Sequence, residues 1–116
     1  MRKAFITVSK IAFYWGFLQI ILIGGAYFGV FSAEVHQGSG FVMEGLFLAL
    51  VVLAILGKMG GPIIGFSILG LAMLTPISTL LLSVGNPAIL RALHPIFGIG
   101  AMFMGKSLAE RAEKLS

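Results

Sequence analysis

The sequence predicts an all-α integral membrane protein that folds as an up-down-up-down four-helix bundle. Of its 116 residues, 59% are hydrophobic and 10% are charged, whereas a soluble domain carries roughly 25% charged residues. The mean hydropathy is +1.08. Four apolar stretches each approach the ~20 residues that cross a bilayer, and the short links between them require successive helices to run in opposite directions.

The four stretches belong to one domain, residues 1–116. Its spans lie at about residues 11–31, 38–56, 62–82 and 88–104, followed by a helical cytoplasmic tail at 105–116. Seven of the eight Lys and Arg residues then fall on one side of the membrane, and only Arg91 falls on the other. The seven are Arg2, Lys3, Lys10, Lys58, Lys106, Arg111 and Lys114. Because basic residues favour the cytoplasmic side, both termini are expected in the cytoplasm.

Capping signals indicate where helices 2 and 4 begin. Ser32 is a candidate N-cap of helix 2, with Glu34 in the first turn, where an acidic side chain is favourable. Asn86 is the corresponding cap of helix 4, with Pro87 at the first helical position. Pro95 is expected inside helix 4, because a helix that began there would be too short to cross a bilayer.

Proline and glycine also predict features of helix packing. Pro76 is expected to kink helix 3. Two glycine pairs at helical spacing, Gly25-x-x-x-Gly29 and Gly61-x-x-x-Gly65, are expected to let helices approach closely and would suit dimerisation.

The residue inventory excludes several kinds of chemistry. Cysteine is absent, so disulfides, thiolate nucleophiles and Cys-ligated metals are excluded. The sequence has no phosphate-binding loop, no nucleophile–base pair and no nucleic-acid-binding surface. Ionisable residues within membrane spans are costly, so the few that occur are candidates for function. They are His36, Glu44, Arg91 and His94, all in the outer half of the predicted bundle.

The only two histidines share a local pattern, His36-x-x-x-Gly40 and His94-x-x-x-Gly98. Because an α-helix turns about 100° per residue, each glycine lies nearly below its histidine on the same face. A histidine beside a surface without side chains is suited to ligating a flat ring such as haem. The alternative is two unrelated polar residues near helix ends, with glycines that only aid packing.

A haem site would use two neutral imidazoles as axial ligands to one iron. Gly40 and Gly98 would let the porphyrin lie against the helices, and Arg91 would pair with the haem propionates. A zinc site formed by the histidines and Glu44 is less favoured, because Glu44 lies two turns from His36 and about 80° around the helix.

The depths of the two histidines can be compared along their helices. His94 lies about 10 Å and His36 about 6 Å below the predicted helix starts, at about 1.5 Å per residue. Measured from the cytoplasmic side the depths differ more, because His36 is much farther along the chain from Lys58 than His94 is from Lys106. The depths agree only if helix 4 continues past Lys106 or the helices tilt.

Glu44 has two interpretations. It is a possible proton-transfer group near a redox centre or a quinone. Alternatively, it is a neutral or paired side chain, with Gln19 on helix 1 as the candidate partner.

The placement of histidines on helices 2 and 4 resembles one four-helix half of haem A synthase. The chain is also similar to small bacterial four-span membrane proteins with a His-x-x-x-Gly motif and a Leu-His-Pro motif, here Leu93-His94-Pro95. The resemblance implies axial haem ligation by His36 and His94 in a prokaryotic plasma membrane. Haem A synthase has eight spans and cysteines in an outer loop, so a single-bundle relative or a homodimer is expected rather than haem A synthesis.

Three functions remain open from the sequence. The leading hypothesis is a b-type haem protein that transfers single electrons near the outer face, to or from quinone or a larger membrane complex. The second is a cofactor-free structural or assembly subunit of a membrane complex. The third is a small proton-coupled transporter that uses Glu44 and Arg91.

Overall fold

The computed structural model describes residues 1–75 and 86–115, and the regular structure in these two ranges is entirely α-helical. The helices are α1 (Arg2–Tyr27), α2 (Ala33–Leu56), α3 (Gly61–Leu74) and α4 (Pro87–Glu113). The predicted all-α class is confirmed over this part of the chain. Helices α1, α2 and α4 are long and apolar enough to cross a membrane, which indicates a membrane protein.

The third helix is shorter than the sequence predicts. Helix α3 has 14 residues and ends at Leu74, whereas the predicted span runs to residue 82. Thr75 has an extended conformation with ψ 136°, as expected for a residue that precedes proline. The rest of the predicted span and its expected kink at Pro76 lie outside the described residues.

The ends of the helices follow their local sequence. The side chain of Asn86 accepts a hydrogen bond of 3.0 Å from Ala88 N, which confirms the predicted cap of α4. Ser32 is the N-cap residue of α2, but its hydroxyl makes no capping hydrogen bond. Between α1 and α2 the chain turns at Gly29, whose φ of +76° is favourable only for glycine.

The helices form a closed ring in which each contacts two others. Helix α1 packs against α2 and α4, and α3 packs against the same two helices. Helices α2 and α4 therefore lie diagonally opposite each other in the described part of the chain. The links from α1 to α2 and from α2 to α3 are short, which places these helices side by side, and the pairing of α1 with α4 closes the ring.

Small residues allow α1 and α4 to approach each other closely. A Cβ atom on Gly105 would lie 3.1 Å from Ser9 O and 3.2 Å from Phe13 N, so the backbones are in near contact there. Farther along the same interface, Gly16 of α1 packs against the side chain of Met102. Such close approach through small side chains is typical of helix pairs in membranes.

The two glycine pairs that were predicted to allow close approach of helices are not part of the contact between α1 and α4. Within residues 1–75 and 86–115, a Cβ atom on Gly61 or Gly65 would have no neighbour within 4 Å. Gly25 packs against Phe31 of the following turn, and Gly29 lies outside α1. Helical spacing alone did not identify the packed face, because the partner helix also has to present small residues there.

Helices α1 and α4 both extend beyond their predicted spans, and the two extensions pack together. Phe5, Leu108 and Ala112 are fully buried in this part of the core. An ion pair of 2.6 Å joins Lys10 Nζ to Glu113 Oε1, and Arg2 donates a hydrogen bond to the carbonyl of Leu115. The tail is therefore helical as predicted, and one of its faces is part of the core.

Much of the outer surface is apolar. Large hydrophobic side chains are exposed on several helices, among them Ile21 (62%), Phe41 (60%) and Ile96 (62%). Soluble monomers rarely present such extensive apolar surface, whereas lipid tails solvate it.

Candidate functional site

The two histidines of the chain meet across the diagonal of the helix ring. His36 of α2 and His94 of α4 have ring centres 6.0 Å apart, with an angle of 82° between the ring planes. The α2 and α4 backbones make no close contact in the described part of the chain, so the histidine side chains reach towards each other across this diagonal. The arrangement brings together the two residues that the sequence singled out.

The lengths of the helices remove the mismatch in histidine depth. Helix α4 continues past Lys106 to Glu113, whereas α2 ends at Leu56. His36 and His94 therefore precede the ends of their helices by nearly equal lengths of chain. At about 1.5 Å per residue, each histidine lies roughly 30 Å from the far end of its helix.

A backbone carbonyl from α1 orients His36. The Nδ1 atom of His36 lies 3.2 Å from Gln19 O. A carbonyl oxygen only accepts hydrogen bonds, so Nδ1 carries the proton and donates it. The Nε2 atom of the neutral ring then has a free lone pair, which is the state in which histidine ligates a metal.

A second hydrogen bond joins α1 to α2, one helical turn along α1 from Gln19. Trp15 Nε1 donates to Ser39 O at 2.9 Å. The sequence did not identify Trp15 as part of the site. The signal was available, since an indole N–H within an apolar span needs an acceptor.

Two polar atoms near these hydrogen bonds are buried without a partner. They are Gln19 Oε1 and Ser39 Oγ, for which the described residues offer no hydrogen bond. Because an unpaired buried polar atom is costly, these two atoms would favour a water molecule or a polar ligand group beside His36.

The two glycines of the histidine patterns differ in their surroundings. A Cβ atom on Gly98 would have no neighbour within 4 Å among the described residues, which leave the helix surface one turn below His94 open. At Gly40 the nearest atom is Gln19 Nε2, at 3.5 Å from that position. A flat ligand would therefore meet bare helix at Gly98 and an amide group at Gly40.

Arg91 and Glu44 lie apart from the contacts that join the histidines. Arg91 is exposed on α4, one turn before His94, and has no ion pair within the described ranges. Glu44 is half-buried, and no hydrogen bond links it to Gln19 in the part of the chain that the structure describes. The predicted partnership of Glu44 with Gln19 is not observed.

The grouping of histidine and acidic side chains bears on the zinc alternative. No group of three or more His, Asp or Glu side chains converges within residues 1–75 and 86–115, so a zinc site that includes Glu44 is not supported. The 6.0 Å spacing and the 82° angle of the two imidazoles are those of an edge-to-face contact between aromatic rings.

Comparison of the chain with protein families, with curated proteins and with solved structures found no match. The functional argument therefore depends on the residues of the site.

Proposed function

We propose that the chain is a membrane-embedded b-type haem protein in which His36 and His94 are the axial ligands. The observation that carries the proposal is the 6.0 Å separation of the two imidazoles, which come from helices whose backbones do not approach each other in the described ranges. Because this separation also lies within the range of ordinary contacts between aromatic rings, the proposal draws its support from the identity of the two residues: they are the only histidines of the chain, and each is followed by a glycine one turn along its helix. Haem, when bound, would supply one-electron redox chemistry at its iron.

Each residue around the pair has a defined task in this proposal. The carbonyl of Gln19 would hold the proton on Nδ1 of His36, which leaves Nε2 as the nitrogen that would bind the iron. The surface at Gly98, which the described residues leave open, would accommodate part of the porphyrin. Arg91 pairs with the propionates, because its guanidinium is exposed and has no carboxylate partner among the described residues. Glu44 is the candidate proton-transfer group.

The proposed setting is a prokaryotic plasma membrane, crossed by an up-down-up-down bundle with both termini in the cytoplasm. The ion pair of Lys10 with Glu113 and the bond from Arg2 to Leu115 support this topology, because they bring the two basic termini together at one end of the bundle. The histidines then lie near the outer face, where electrons would pass to or from quinone or a larger membrane complex. The likeness to one half of haem A synthase suggests that two copies pair as a homodimer.

The test is an absorption spectrum of protein expressed with sufficient haem and purified in detergent. We expect a Soret band that sharpens on reduction, and a pyridine haemochrome spectrum of b type. His36→Ala and His94→Ala should each lose the band. The matched controls Gln37→Ala and Ile96→Ala change exposed neighbours of the two histidines and should retain it.

Circular dichroism and gel filtration would show that the histidine variants keep the wild-type helix content and size. Colourless wild-type protein, or coloured protein whose spectrum is unchanged in both histidine variants, would refute the proposal. In the first case the cofactor-free structural or assembly subunit becomes the better hypothesis.

A further inference from the structure

A groove lies at the end of the bundle where α3 begins and α4 ends, far from the histidines. Its volume is about 300 Å³. The lining residues are Met59, Pro62, Ile63, Arg111, Lys114 and Leu115. The groove thus combines an apolar floor with two cationic side chains, a combination that the haem proposal does not use.

The acidic residues that precede the two groove cations in the sequence pair with other lysines. Glu113 pairs with Lys10 at 2.6 Å, and Glu110 approaches Lys106 at 3.9 Å. Neither Arg111 nor Lys114 forms an ion pair in the described part of the chain. The two groove cations are therefore available to an external anion.

Arg111 is held in position by its neighbours. Its guanidinium carbon lies 4.6 Å from the ring centre of Phe66, and its Nε donates a hydrogen bond of 3.3 Å to Ser107 Oγ. These contacts do not use the two terminal nitrogens. A guanidinium oriented in this way binds two oxygens of a phosphate at a small cost in side-chain entropy.

The start of α3 adds a favourable electrostatic contribution. Its N-cap is Gly60, which provides no side-chain cap, and its first turn contains no acidic residue. The partial positive charge of the helix N-terminus is thus not neutralised locally, and Pro62 and Ile63 of this turn line the groove.

We propose that this groove binds the headgroup phosphate of an anionic phospholipid, with Arg111 and Lys114 as the main contacts. A lipid is favoured over free phosphate because the floor is apolar, and because α4 is long and apolar enough to cross a membrane. The apolar floor would receive the glycerol and upper acyl carbons, while the two cations neutralise the phosphate.

Native mass spectrometry of the detergent-solubilised full chain tests this site. The probes are phosphatidylglycerol and phosphatidylcholine with identical acyl chains, each titrated with and without millimolar inorganic phosphate. We expect phosphatidylglycerol to bind more tightly than phosphatidylcholine and to resist displacement by phosphate. The double variant Arg111→Gln/Lys114→Gln should weaken phosphatidylglycerol binding about 10-fold.

Lys114→Gln alone alters one exposed residue and should give an intermediate loss without affecting folding. Its matched control is Lys3→Gln, which removes one exposed cation that does not line the groove and should change binding less than about 3-fold. Equal losses in Lys114→Gln and Lys3→Gln, equal binding of the two lipids, or full displacement by phosphate would each overturn the proposal.

Discussion

Gly105 offers a sharp test of how α1 and α4 pack. A methyl group at this position would lie 3.1 Å from Ser9 O, 3.2 Å from Phe13 N and 3.5 Å from Ala12 Cβ. The first two distances are shorter than ordinary contacts, and both atoms belong to the α1 backbone. They cannot rotate away as a flexible side chain would, so α1 itself has to move.

The magnitude follows from two opposing effects. Replacing glycine with alanine inside a helix stabilises it by about 0.5–1 kcal/mol. Overpacking of a tight interface costs about 1–3 kcal/mol. We therefore expect Gly105→Ala to lower the free energy of unfolding by about 1 kcal/mol. Gly65→Ala is the matched control, because its methyl group would meet no atom of the described residues within 4 Å and should stabilise the protein.

Thermal unfolding in one detergent, followed by circular dichroism in the far ultraviolet, measures both variants. The two should differ by about 2 kcal/mol, which corresponds to roughly 8 °C between their midpoints. If Gly105→Ala raises the midpoint as much as Gly65→Ala does, the close approach of α1 and α4 at Gly105 is wrong.

Two further substitutions test the core and the support of the histidine site. Phe47 is fully buried against α3, so Phe47→Ala should lower the free energy of unfolding by about 3–5 kcal/mol. Phe41→Ala, at an exposed position, should lower it by less than about 0.5 kcal/mol. Similar losses in the two variants would contradict the packing of α2 on α3. Trp15→Phe removes the hydrogen bond to Ser39 O and should destabilise the protein by about 1 kcal/mol. The control Tyr14→Phe changes an exposed residue and should have no effect. An unchanged unfolding midpoint for Trp15→Phe would mean that the hydrogen bond does not contribute to stability.

Local signals predicted the helices well where the physical cause is itself local. The start of α4 followed from Asn86 and Pro87, because a capping oxygen and a fixed φ act within one turn. Pro95 was expected inside α4 and lies there. The early end of α3 was missed. A proline disfavours helical geometry in the residue before it, and at Thr75 this signal was interpreted as a kink within a long apolar span and not as the end of the helix.

Features that depend on a second helix were harder to predict. The contact of α1 with α4 needs Ser9 and Ala12 on one helix to coincide with Gly105 on the other. No single stretch of sequence indicates how the two helices are aligned along their lengths. The same limit explains why Gly61 and Gly65, which have the expected spacing, face open space in the described structure.

The histidine pair has one feature that is local in the sequence and one that depends on how two helices are placed. Its composition was evident from the sequence, since His36 and His94 are the only histidines and each precedes a glycine at helical spacing. The similar depth of the two histidines was not evident, because the sequence analysis measured depth from Lys58 and Lys106. These lysines do not mark equivalent positions, since α4 continues well beyond Lys106 whereas α2 ends near Lys58. Once depth is measured from the helix ends, the two positions agree closely. A diagonal pair at matched depth can share one ligand between two helices whose backbones stay apart, and a bound metal there would link α2 to α4 directly.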